Sequence, residues 1–271
     1  MKYLETNAIR KLAPFLGNIG FVNDKYTSVL ALLEILSGIK DNNSFYLRQS
    51  IFKKVLRSQI KFDPNLPEIK IYNAFGFNLE NLELSSKIGQ ILKLVELTKD
   101  YESLLKTINL NGLNDIFLFG KEYDENASYG LKKKLLMQFS NSEVKQAILQ
   151  FESRWTQDNL LNLKNIVIRF IATILLENPI VKSQKSLSEL ISSYDNSIDI
   201  YLITITYYLD QKVSSKSFPA KNDYIDLNHL TYLSGFSNQI VTDDKLLHKI
   251  MLKTYPNNIL KTSELHNKGL F

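Results

Sequence analysis

From about Ser85 to Tyr208, apolar residues recur at helical spacing almost without interruption, while strand-like runs are confined to the regions nearer the two ends. This segregation constrains the fold most, because a 3.6-residue period and a two-residue period cannot be satisfied by the same backbone. Within the helical stretch, Ile88, Ile91, Leu92 and Val95 make one stripe, and Val144, Ile148, Phe151 and Trp155 another. "SNSE" at Ser140 and "SLSE" at Ser186 have the form of capping boxes, which start helices by satisfying orphan amides reciprocally. No fixed-period repeat is visible, so a solenoid is not supported. Strands far apart in sequence can share one sheet. The expectation is therefore an α/β core built discontinuously from residues 1–75 and 205–271, with residues 76–204 as a large all-helical insertion.

The end regions can be read in more detail. "KYLE" at Lys2 is a strand candidate, followed by a helical "NAIRKLAPFL" that Pro14 bends or divides. "YTSVLALLEILSGI" puts Val29, Leu32, Leu33 and Leu36 on one helix face and closes at Gly38. "SFYLRQSIFKKVLRSQI" reads as a second helix running up to Asp63-Pro64, and "EIKIYNA" after Pro67 as a strand or extended loop. Beyond the turn-like "VSSKSFPAKND" come a helix from about Asn222 to Leu233, a strand "NQIVT" and a helix "DKLLHKIML".

Composition excludes several classes. With 271 residues, of which 44% are hydrophobic and 23% charged, the chain can bury a substantial core and does not read as disordered. It has no cysteine, which removes disulfides, thiolate metal sites and a cysteine nucleophile together. The net charge of +5 permits a polyanionic partner without demanding one. Glu5 and Arg10 interrupt the apolar run that a leader would need. The most apolar stretch, from Asn159, contains Lys164 and Arg169, so it reads as a buried helix and not a membrane span. A cytoplasmic protein with no membrane partner is expected.

The functional question is whether acids from different elements can meet. Glu5 ends the first strand, Glu34 flanks the Val29/Leu36 face, Asp223 and Asp226 are three apart on one helix, and Asp243 and Asp244 follow the last strand. Each alone is explained equally well by a helix cap, a favourable place in a first turn, or simple solvation.

Taken in order, three segments resemble the PIN-domain nucleases, the family that includes VapC-type toxins. "YLETNAIRKL" is similar to the family's opening strand, acid, Ser/Thr, Asn and helix. "TSVLALLEILSGI" is similar to its second motif, a Ser before a helix that carries a glutamate, here Glu34. "DLNHLTYLSGFSNQIVTDD" is similar to its final motif, with Asp226 opening a helix and Thr242 and Asp244 at a strand end. The opening acid is Glu5 where the family generally has aspartate, and the span from about Tyr72 to Tyr201 corresponds to nothing in the family.

The resemblance implies a parallel sheet flanked by helices, with Glu5, Glu34, Asp226 and Asp244 as catalytic metal ligands for Mg²⁺ or Mn²⁺. Asn7 and Thr242 would orient carboxylates or a water, and Asp223 and Asp243 are additional acids that could replace a chosen ligand. It implies an endoribonuclease acting on single-stranded RNA, as a toxin or defence effector with an inhibitory or activating protein partner. The alternatives are a catalytically weak or inactive module that binds nucleic acid or protein, and a nuclease acting on DNA or on structured junctions. Hard oxygen ligands suit these cations, and crowded carboxylates need one. Lys53, Arg57 and Lys61, at four-residue spacing, form a cationic helix stripe that would contact phosphates or else be a solvated face. "LKKKLL" around Lys132 is ambiguous in the same way. His229 and His248 lie one turn from acids and read more readily as packed or surface residues. An oligomer is compatible with everything above.

Overall fold

A computed structural model of the chain describes residues 1–17, 19–80, 82–119, 155, 157–215, 217–220, 222–234 and 238–266. It is an α/β protein in which five strands form one all-parallel sheet flanked by helices. The strands are β1 (Lys2–Leu4), β2 (Lys25–Ser28), β3 (Lys61–Asp63), β4 (Gln239–Val241) and β5 (Ile259–Leu260), in spatial order β3-β2-β1-β4-β5. From β1 the sheet grows outward through β2 and β3 on one side, and through β4 and β5 on the other. The order therefore reverses between β1 and β4, where Tyr3 pairs with Ile240 and Leu4 with Val241. In open parallel sheets this switch point leaves a crevice beyond the carboxyl ends of the strands.

Alternation along each strand divides the core into two layers. Leu4, Val241 and Leu260 face one layer, whereas Tyr3, Ile240 and Ile259 face the other. Under the first lie α1 (Thr6–Leu12), α3 (Val29–Ser37) and α4 (Asn42–Arg57), together with α6 (Leu82–Leu97) and α7 (Tyr101–Leu110). The second is covered by α8 (Gln157–Leu175), α11 (Asp199–Ser214), α12 (Asp223–Asn228) and α13 (Lys245–Thr254). The short helices α2 (Ile19–Val22), α5 (Pro67–Ala74), α9 (Pro179–Gln184), α10 (Leu187–Ser192) and α14 (Thr262–His266) complete the elements used below. The helical middle of the chain thus supplies both faces of the sheet. The Ile88/Ile91/Leu92/Val95 stripe is buried under the first.

Several local readings hold and several change. Helix α1 ends at Leu12 and a 3-10 turn over Ala13–Phe15 takes up Pro14, as expected of a residue lacking an amide donor. The capping box at Ser186 forms, with Glu189 answering the Ser186 amide at 2.7 Å. The Val144/Ile148/Phe151 part of the second stripe, the "SNSE" box and the Lys132 run lie outside the described residues.

The "EIKIYNA" segment is helix α5 and not a strand; Pro67 at its first position pre-sets the backbone for a helical start. Helix α4 stops at Arg57, and Lys61 belongs to β3, so Lys53, Arg57 and Lys61 do not form one helical stripe. The helix containing Lys164 and Arg169 is amphipathic and not fully buried, with Val167, Ile168 and Ala172 inside but Ile166 and Phe170 exposed. Among the described residues no helix is long and apolar enough to cross a membrane.

Candidate functional site

The carboxyl ends of β1 and β4 deliver the first acids to the switch point. Glu5 follows β1 directly and is almost fully buried. It serves as the N-cap of α1, accepting hydrogen bonds from the Asn7 amide at 2.8 Å and the Ala8 amide at 3.2 Å. A cap is ordinarily a shorter residue; here the extra methylene lets both carboxylate oxygens reach the helix amides. Thr242, fully buried, follows β4, and its hydroxyl accepts the Asp244 amide at 2.9 Å. Asp244 in turn caps α13 through the Leu247 amide at 2.8 Å. The apolar run in "IVTDDKLLHKI" thus ends in acids because the chain must leave a buried strand and start a helix within three residues.

Glu34 reaches the same place from the middle of α3. Its Oε2 accepts from the Thr6 hydroxyl and lies 2.5 Å from Nε2 of His229, a buried residue in the 3-10 turn after α12. The other ring nitrogen, Nδ1, lies 2.6 Å from the Tyr3 hydroxyl, which lies 2.7 Å from Oγ of Ser28, the N-cap of α3. A continuous chain, buried up to the partly exposed Glu34, therefore runs Ser28–Tyr3–His229–Glu34–Thr6 and ties β1, β2, α1, α3 and the α12 region together. With both ring nitrogens protonated, His229 would donate to Glu34 and to Tyr3 at once.

Asp226 completes the group from α12. Burial, then the charges of Asp244 and Glu34, push its carboxyl up from 3.8 to about 8, against the opposing pull of His229. Burial likewise raises Glu5 from 4.5 to about 6, partly offset by His229 and the Asn7 amide. Burial would lower His229, yet Glu34, Glu5 and Asp226 together hold it above its ordinary value. These mutual influences place Glu5, Glu34, Asp226, Asp244 and His229 in one electrostatic environment, with one imidazole against four carboxyls.

The remaining sequence candidates have other partners. Asp223 accepts from the Tyr208 hydroxyl at 2.6 Å and the Ala220 amide at 2.8 Å, and pairs with Lys212 at 3.4 Å. Asp243 pairs with Lys11 at 2.8 Å and accepts from the Thr262 amide and hydroxyl. Both stabilise their own surroundings and are spoken for. Asn7 meets the group through its backbone amide. Lys53 and Arg57 line an exposed groove on α4 with Tyr46, Gln49, Ser50 and Lys54, and none of the acids is among its lining residues. His248 lies 2.9 Å from the Thr242 carbonyl oxygen through Nε2.

Sequence reasoning undervalued His229 and had no reason to select Tyr3. A lone histidine one turn from an acid reads more readily as a packed or surface residue, and Tyr3 reads simply as strand core.

The donor set suits a hard divalent cation. Four carboxyls share the site, and among the described residues none donates a hydrogen bond to the buried Asp226 carboxyl. That crowding of carboxyl oxygens is the kind a cation relieves. Among the described residues no three His, Asp or Glu side chains already stand as a cation cage. No protein-family model, curated protein or solved structure matches the chain.

Proposed function

We propose that this chain is a PIN-like, metal-dependent endoribonuclease that hydrolyses phosphodiester bonds of single-stranded RNA. The observation that supports it is the shared field of Glu5, Glu34, Asp226 and Asp244 at the sheet's switch point, with Asp226 raised to about 8. Groups so strongly perturbed, gathered from four elements of the chain, are more typical of functional sites than of structural ion pairs. In this reading the four acids hold Mg²⁺ or Mn²⁺, and the helical middle of the chain is an elaboration of the family's core.

When bound, the cation would supply an activated water and offset charge on the leaving oxygen. The chain's own residues set the stage. Glu5 is fixed by two helix amides, and Glu34 by Thr6 and His229. Their oxygens are therefore pre-positioned and little ordering remains for substrate binding to impose. His229 balances part of the negative charge and is in turn held by Tyr3. Thr242 fixes Asp244 through its amide.

One observation favours a second reading. Glu34 is already occupied by His229 and Thr6, and both oxygens of Glu5 are spent on capping. That is compatible with a PIN-like module that binds nucleic acid without cutting it.

Labelled single-stranded RNA and DNA incubated with the protein in Mn²⁺ and then in EDTA separate the two. RNA cleavage lost in EDTA and in Asp226→Asn, Asp244→Asn supports the nuclease. Cleavage undiminished in that variant refutes the site assignment. Metal-independent binding without cleavage supports the second reading.

A further inference from the structure

A cavity of about 560 Å³ opens between α8 and the segment formed by the end of α10 and the turn that follows it. It shares no lining residue with the carboxylate group. Ile168 follows Lys164 by four residues on α8, and Arg169 follows Asn165 by four, so one face of that helix supplies one wall. Ile191, Tyr194 and Asn196 supply the other. The volume falls within the range that holds a small ligand.

Both walls are fixed. Lys164 donates to Asp199 at 2.5 Å, and the Tyr194 hydroxyl donates to the same carboxylate at 2.8 Å. This buried acid at the start of α11 therefore ties the two walls together. Phe75 packs against the Tyr194 ring at 4.9 Å. Asn196 adopts φ 65°, a left-handed conformation that asparagine tolerates better than most residues. The turn holds it there, because the Asp195 amide donates to the Ala74 carbonyl at 3.0 Å and the Ser197 amide to Oδ1 of Asp195 at 2.8 Å.

The groups left unengaged are few and chemically distinct. Asp199 balances Lys164, and no acid lines the cavity, so Arg169 has no ionic partner among the described residues. The side chains of Asn165 and Asn196 likewise have no hydrogen-bond partner among them. The cavity thus offers one guanidinium fork and two amides that each donate and accept. Its apolar wall consists of the buried Ile168 with Ile191 and the Tyr194 ring. A guanidinium suits a phosphate, an asparagine amide matches the donor and acceptor edge of adenine, and apolar and aromatic side chains suit the face of a base.

We propose that this cavity is a binding site for an adenine mononucleotide. Its phosphate is received by Arg169, its base by Ile168, Ile191 and Tyr194, and the edge of the base by Asn165 and Asn196. A single uncompensated cation favours a monophosphate over more highly charged forms. The site is separate from the carboxylate group and does not rest on the nuclease reading.

The test is calorimetric titration of the full chain with AMP, adenosine and inorganic phosphate. EDTA is present so that no cation can carry a nucleotide to the carboxylates. AMP is expected to bind about tenfold more tightly than adenosine or phosphate alone. Arg169→Met should weaken AMP binding about tenfold and leave adenosine binding unchanged. Asn165→Ala, and Asn196→Gly, which keeps the positive φ accessible, should weaken AMP and adenosine alike. Each of these positions is exposed, so the variants should melt with the wild type when no nucleotide is present.

A wild type that binds no AMP at millimolar concentration overturns the proposal. Phosphate binding as tightly as AMP overturns it too, since charge alone would then account for the binding. AMP affinity unchanged in Arg169→Met, or AMP and adenosine weakened equally there, would place the phosphate elsewhere and refute the assignment.

Discussion

Replacing Asp226 by asparagine should stabilise the protein while removing the proposed nuclease activity. In the unfolded chain this carboxyl titrates near 3.8 and is ionised at pH 7, whereas in the folded chain it is raised to about 8 and still holds its proton. Between those values the native state binds one more proton than the unfolded state. Stability therefore falls as pH rises, by about 1.36 kcal/mol per pH unit. From pH 3.8 to pH 7 this accumulates to about 4 kcal/mol. His229 acts in the same sense, because a histidine raised above 6.5 contributes stability at low pH that is lost as pH rises through its folded value.

Asparagine has nearly the same shape and no charge to desolvate, so the Asp226 part of this cost vanishes. Urea unfolding in EDTA should show Asp226→Asn more stable than the wild type by about 3–4 kcal/mol at pH 7, and the two nearly equal at pH 4. Millimolar Mn²⁺ at pH 7 should narrow the gap by stabilising only the wild type. A variant no more stable than the wild type at pH 7, or a difference that does not shrink at pH 4, refutes the reasoning.

Other outcomes follow from the same contacts. His229→Gln removes the buried partner of both Glu34 and Tyr3, and should cost about 3 kcal/mol by thermal or urea unfolding. Tyr3→Phe should cost about 1 kcal/mol, because Ser28 and His229 each lose one hydrogen bond. Glu5→Ala loses the cap of α1 and should destabilise by about 1 kcal/mol, whereas Glu5→Asp keeps a capping carboxylate and should stay within about 0.5 kcal/mol of the wild type. At the opposite end of the sheet, Lys25 is fully buried between the Phe21 carbonyl and Asp24. Lys25→Ala should cost about 3 kcal/mol by urea unfolding and leave the proposed nuclease activity unchanged below the melting point.

Much of the fold was legible in the residues, and the failures have local causes. The strands at Lys2 and Gln239 and the helices after them were signalled by polar caps breaking short apolar runs. β2 was hidden because "KYTS" passes into α3 with no turn, Ser28 being both strand end and helix cap. β3 was masked because Ile60 and Lys61 continue the period of α4, which ends at Arg57. β5 is two residues long, too short for any period to declare itself. In "EIKIYNA" the alternation of Ile69 and Ile71 imitates a strand, but the start set by Pro67 prevailed.

The sequence by itself determined the α/β class, the capped helices and the order of the acids Glu5, Glu34, Asp226 and Asp244, since caps and periods act over a few residues. Only the tertiary structure decided which acids share a field. Pairing of residues 2–4 with 239–241 brings the ends of β1 and β4 together, and Asp244 and Glu34 both act on Asp226, while Asp223 turns to Lys212 and Asp243 to Lys11. It also placed His229 against Glu34, a contact 195 residues apart along the chain. Burial and charge depend on distance through space, and no spacing along a chain encodes that before the sheet has formed.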